Sequence, residues 1–115
     1  MAISHERLTE IAYVGTTAAS HYNNPALTTT HVKSIILHNL NTTAENVILY
    51  NVPDSTGSVG TAADANTFYK LSIASNETVL INPGMLLLED TNDSLQAVTD
   101  TASKVTIQVY GTKET

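Results

Sequence analysis

The 115-residue chain has no cysteine, no tryptophan, one phenylalanine and only five lysines and arginines in all. Each shortage removes a class of function. Without cysteine there is no disulfide framework, no thiolate nucleophile and no cysteine-based zinc site. The five cations, Arg7, Lys33, Lys70, Lys104 and Lys113, are scattered against eleven acids and a net charge of −6, so no run of them can neutralise consecutive phosphates. Nucleic acid is not an expected partner. No stretch of about 18 apolar residues is present to cross a membrane as a helix, and Met1–Arg7 lacks the basic start and apolar stretch of a signal peptide. The expectation is a protein made in a cytoplasm, with no membrane partner.

Catalytic vocabulary is equally scarce. There is no G-x-S-x-G or other triad signature around a serine or threonine, no P-loop and no G-x-G-x-x-G. Of the histidines His5, His21, His31 and His38, the last two are seven apart on one expected strand, an odd spacing that sends them to opposite faces and argues against a shared metal. The cluster Glu89-Asp90-Thr91-Asn92-Asp93 is the one local concentration of oxygen ligands, but it lacks the alternating acids, central glycine and terminal glutamate of an EF-hand and suits a hairpin turn better than a calcium site. Sugar-binding sandwiches stack their ligands on exposed rings; here Phe68 and the tyrosines Tyr13, Tyr22, Tyr50, Tyr69 and Tyr110 make a thin platform, with Tyr69 and Tyr110 the candidates to face outward. The reading is therefore of a non-enzyme: no catalytic residue, no cofactor site and no metal site is assigned.

What the chain does have is period-two alternation. Val32–Leu37, Val47–Val52 and Val105–Tyr110 each set a face to bury against a face to show, and turn residues separate them. With 42% apolar and 14% charged residues the chain is expected to fold as one domain. Strands are predicted near 30–39, 45–52, 67–74, 77–82, 85–89, 94–98 and 103–110, with a further one at 10–14. About eight strands make an all-β, single antiparallel β-sandwich of jelly-roll or immunoglobulin-like order. In the last strand Val105, Ile107 and Val109 go in; in the strand at 30–39, parity sets Lys33, Ile35 and Leu37 against Val32, Ser34, Ile36 and His38, so both faces are partly apolar, as in a central strand or one whose outer face meets a partner. The segment 60–66 is expected as a loop or one helical turn. Residues 1–29 are small and polar without sustained period; they are read as an extended N-terminal arm with a first strand, lying on its own sandwich or ordering on a neighbouring subunit, while 30–115 form the sandwich domain.

Ser34-Ile35-Ile36-Leu37-His38-Asn39-Leu40-Asn41 followed by Val47–Pro53, then Glu77-Thr78-Val79-Leu80-Ile81, then Leu88–Ala97 and the closing Val105–Gly111, resembles the small β-sandwich virion structural proteins of tailed bacteriophages. The likeness covers roughly residues 30 to 111. Asn76 and Asn92 stand where that family commonly has glycine, and asparagine is the side chain that best tolerates positive φ. The resemblance implies a capsid decoration or cement protein of the virion, made in the host cytoplasm and stabilising the head through inter-subunit contacts. Its implied partners are the major capsid protein or other virion proteins and further copies of itself, with a trimer favoured. The alternatives are a neck, tail or fibre component and, from another class, a carbohydrate-binding module.

Overall fold

The alternating segments are realised as strands β1 (Ile3–Arg7), β2 (Ala12–Tyr13), β3 (Ala19–Asn23), β4 (Thr29–Asn39), β5 (Glu45–Val52), β6 (Thr67–Ile73), β7 (Thr78–Ile81), β8 (Leu86–Leu88), β9 (Ser94–Thr99) and β10 (Val105–Glu114), in a computed structural model that describes residues 2–115. A 3-10 turn at Asp64–Asn66 precedes β6, and among the described residues there is no α-helix. Two antiparallel sheets result. The first runs β1-β10-β4-β7, with β2 also on β10 and β8 also on β4; the second runs β3-β9-β5-β6.

β1 and β2 follow one another along β10, and β7 and β8 along β4. Counted as two interrupted strands, they reduce the ten to eight positions, ordered 1-8-3-6 in one sheet and 2-7-4-5 in the other. Every connection then crosses between sheets except the β5–β6 hairpin. This is a jelly roll and not an immunoglobulin-like order, which keeps several hairpins within one sheet.

Between the sheets lies one core, in which Val14, Val32, Ile35, Leu37, Val47, Leu49, Ile73, Leu95, Val105, Ile107 and Val109 are fully buried. Val105, Ile107 and Val109 point inward as their parity requires. β4 departs from simple parity. Tyr110 pairs with Ser34 but Gly111 pairs with Val32, so Lys33 is an extra residue and the strand changes phase there. Val32 therefore joins Ile35 and Leu37 inside, and His31 joins Ile36 and His38 outside. The expectation that His31 and His38 face opposite ways is corrected by this bulge; seven residues of strand, roughly 23 Å, still separate them. Gly111 is required at the crossing, because a Cβ there would collide with the backbone carbonyl of His31. It marks the bulge, and β10 runs on to Glu114.

Residues 2–29 are built into the sandwich. β1 and β2 pair with β10, β3 pairs with β9, and Leu8, Val14 and Tyr22 belong to the core. The boundary expected at 29/30, with an arm before it, is therefore not a break between arm and body here. These strands were hard to read because they are short or polar: every residue of β1 is exposed, and β3 carries a register shift at His21. The two asparagines at expected glycine positions take the left-handed conformation, with φ 57° at Asn76 and 71° at Asn92.

Candidate interaction surface

Polar side chains buried at the two ends of the sandwich fix its loops. At one end Asn39 donates from Nδ2 to the carbonyls of Thr43 (2.9 Å) and Ile73 (3.0 Å), while its Oδ1 accepts from the Asn41 amide at 2.8 Å. Beside it the buried carboxylate of Glu45 accepts from the Thr101 amide (2.9 Å), the Thr101 hydroxyl (2.9 Å) and Asn41 Nδ2 (3.1 Å), while the Thr99 hydroxyl, 3.3 Å away, donates to the Asn46 carbonyl at 2.8 Å. A buried carboxylate so supplied with donors is tolerated where an unpartnered one would not be.

At the opposite end Asn24 has the corresponding role. Its Nδ2 donates to the carbonyls of Thr28 (2.7 Å) and Asp90 (3.1 Å), and its Oδ1 accepts from the Thr30 hydroxyl at 2.6 Å. The Thr30 proton is thereby committed, so the Tyr22 hydroxyl, 2.8 Å away, donates to Thr30. Backbone bonds from Asn24 N to Asp93 O (2.8 Å) and from Asn92 N to Asn24 O (2.9 Å) tie the β3–β4 loop to the β8–β9 turn. Asp93 organises that turn by accepting from the amides of Asp54 (2.9 Å), Asp90 (3.0 Å) and Glu89 (3.2 Å). A turn forms at Glu89–Asp93, but the hairpin expected there is corrected: β8 pairs with β4 while β9 pairs with β3 and β5, so the turn carries the chain from one sheet to the other. Carboxylate oxygens of Asp54, Asp90 and Asp93 come within 4.8 Å of one another, and sequence proximity had pointed only to the last two. The bonds Asp93 makes to backbone amides account for its position as a turn-former.

The outer face of the first sheet has a different character. Ile36, on the central strand β4, lies opposite Leu80 of β7, and His31 lies opposite Leu87 of β8. Leu80 is 59% exposed, Met85 75% and Leu87 38%. His38 is held to the Thr78 hydroxyl at 2.7 Å through Nδ1, and His31 Nε2 lies 3.0 Å from the Gly84 carbonyl. The sequence signal for this surface is the excess of apolar residues at Ile36 and Leu87, beyond what one buried face needs. At the bulge the same face holds a shallow open hollow of about 380 Å³ lined by His5, Glu6, Arg7, Lys33, Tyr110 and Gly111. No sequence spacing marks it, because residues 5–7, 33 and 110–111 meet only through the pairing of β1, β10 and β4. Below β1, Lys113 Nζ is 2.9 Å from Glu6 Oε1 and 5.8 Å from the centre of the Tyr22 ring. The Lys113 hydrogen bond, reinforced by one from Ser4, holds the Glu6 carboxyl below its ordinary range; the same bond raises Lys113.

The remaining candidates do not converge. Tyr22 and Tyr50 are buried, Tyr13 and Tyr69 are exposed on different sheets, and Tyr110 is half-buried with its hydroxyl donated to Gln108 Oε1 at 2.7 Å. No two of the exposed rings form a stacking platform of the kind a sugar module needs. His21 sits at the β3 register shift with Nε2 buried and without a partner among the described residues, and burial pushes its pKa down.

No protein-family model matches the chain, and no curated protein matches it. Among solved structures the fold is similar to that of a protein of Bacillus endospore appendages, described as a novel family of disulfide-linked pili. The two share 10% sequence identity over 98% of this chain and 88% of that one, with a TM-score of 0.50. At that identity the likeness speaks for the fold: this chain is an all-β sandwich similar in architecture to a pilus subunit.

Proposed function

We propose that this chain is a non-enzymatic structural subunit that works by burying its surface against copies of itself or other proteins of a larger particle. The observation that carries the reading is the outer face of the first sheet, where Ile36, Leu80 and Leu87 occupy positions that a solvated face would give to polar residues, with Met85 exposed in the bend just before β8. A net charge of −6 keeps such a subunit soluble before assembly. Within this class, the resemblance of residues 30 to 111 to tailed-phage virion sandwiches favours a capsid decoration or cement protein, bound to the major capsid protein in the virion and self-associated. A neck, tail or fibre component is the second assignment.

The fold likeness to an appendage pilus protein favours a second reading, a fibre-forming subunit. A fibre of this chain would be held by non-covalent contacts, since it has no cysteine with which to form a disulfide. Quantitative mass spectrometry of purified phage particles separates the readings. A ratio to the major capsid protein near one, or a simple fraction repeated over the shell, supports decoration; a few copies per particle support the neck, tail or fibre; absence from the particle overturns the virion assignment.

A further inference from the structure

Leu27 is 95% exposed and has a φ of 55°, an unusual combination for a leucine. Its backbone conformation is unfavourable for a branched side chain and its side chain covers nothing in its own chain. Yet the loop is firmly fixed: buried Asn24 bonds Thr28, Thr30 and Asp90, and the Thr28 hydroxyl donates to the Ala26 carbonyl at 3.0 Å. A rigid loop presenting one apolar knob has the form of a preorganised anchor, which meets a partner with little further ordering. Around it the molecule is strongly negative. Asp54, Asp90 and Asp93 crowd together, and the side chains of Glu89 and Asp90 are exposed with no hydrogen bond or ion pair among the described residues.

The hollow on the outer face of the first sheet is the complementary surface. Arg7, Lys33 and His5 line it together with Glu6, whose charge is taken by Lys113; Tyr110 and the backbone of Gly111 complete it, and Ile36 and Leu80 lie farther along the same face on β4 and β7. Two of the chain's five lysines and arginines meet at this one place in an otherwise acidic protein. Arg7 has only a long contact of 3.9 Å to the exposed Glu10.

We infer that the Leu27 end of one copy docks on the hollow of a second copy, with Leu27 against Tyr110 and Gly111 and with Glu89 and Asp90 against Arg7 and Lys33. This rests on the reading of the chain as an assembling subunit and names the contact. Because knob and hollow are different surfaces, the contact is head-to-tail: each copy offers a free knob and a free hollow until a ring closes, and if the rotation does not close the copies form a filament. Charge complementarity selects this pairing, since knob end against knob end brings like charges together.

The test is sedimentation velocity of the full chain over a range of concentrations at low and high salt. The unaltered chain is expected to associate, more weakly at high salt. Leu27→Gly, which removes the knob and relieves the backbone, is expected to weaken association by about tenfold or more while the fold persists. Arg7→Glu with Lys33→Glu in one variant, and Glu89→Lys with Asp90→Lys in another, are each expected to stay monomeric alone and to assemble when mixed, because each supplies the charge the other has lost. Association undiminished by Leu27→Gly, or failure of the two folded charge variants to complement, overturns this contact and leaves the structural-subunit reading standing. A chain that stays monomeric at every concentration and salt also overturns it; the copy number in particles then judges the broader reading separately.

Discussion

The two ends of the sandwich are closed by the same device and put it to opposite use. At the Asn39 and Glu45 end, buried amide and carboxylate groups take up loop backbone and a neighbouring hydroxyl. At the Asn24 end an equally dense set of bonds holds out Leu27, a residue that the fold itself does not use. One clamp closes the molecule and the other presents something. A buried polar network is therefore not evidence of a purely internal role; what it holds in place decides that.

The largest expected effect breaks the closing clamp. Glu45→Ala leaves the Thr101 amide, the Thr101 hydroxyl and Asn41 Nδ2 without their acceptor, while the Thr99 hydroxyl keeps the Asn46 carbonyl, and the loss of these charge-assisted bonds is expected to cost about 3 kcal/mol, read as a lowered urea midpoint at unchanged slope. Asn24→Ala is expected to cost somewhat less, about 2 kcal/mol, and to differ in kind: amide hydrogen exchange should accelerate in residues 24–30 and 90–93 together, since that one side chain joins the two segments. If exchange accelerates over the whole molecule instead, the two clamps do not differ as described. Leu27→Gly changes sign, with a gain of about 1 kcal/mol from relieving the left-handed leucine, offset in part by the greater freedom of glycine in the unfolded chain.

Smallest of all is a pH effect at His21, which belongs to neither clamp. Burial favours its neutral form in the folded state, so the unfolded chain binds the extra proton first; stability is full above the ordinary histidine pKa of 6.5 and falls as the pH drops through it. Urea midpoints on either side of that pH, for the unaltered chain and for His21→Gln, measure this; an unchanged pH dependence in the variant would assign the effect elsewhere. The exposed Glu6–Lys113 pair adds a dependence of its own at lower pH, lost as Glu6 is protonated through its depressed pKa below 4.5, and screening makes that contribution small.

Much of the sandwich was legible because alternation is dictated by the pleat. Val105, Ile107 and Val109 had to share a face, and the seven strands expected from residue 30 onward all formed, several within a residue of their expected bounds. Two things were hidden for physical reasons. Parity assumes an unbroken register, and Lys33 breaks it, so a pattern that looked apolar on both faces was partly a change of phase within β4. The strands β1 and β3 were invisible because edge strands need little apolar surface of their own: β1 is held by β10 and fully exposed. The hollow and the Asn24 clamp were not legible at all. Each joins residues brought together only by strand pairing, as Arg7 meets Lys33 across β10 and Asn24 meets Asp90 sixty-six positions later.

The position of β10 has a consequence for how the molecule comes into being. It is last in chain order, yet it lies inside its sheet, between the strands made first and the long β4. Before β10 is made, β1 and β2 have no strand to join and β4 can pair only with β7 and β8 along one edge, so Ile35 and Leu37 wait without a completed core. Closure is thus concentrated in one late event that pairs distant segments, so folding should be slow and all-or-none, and a nascent subunit remains sticky until that strand arrives.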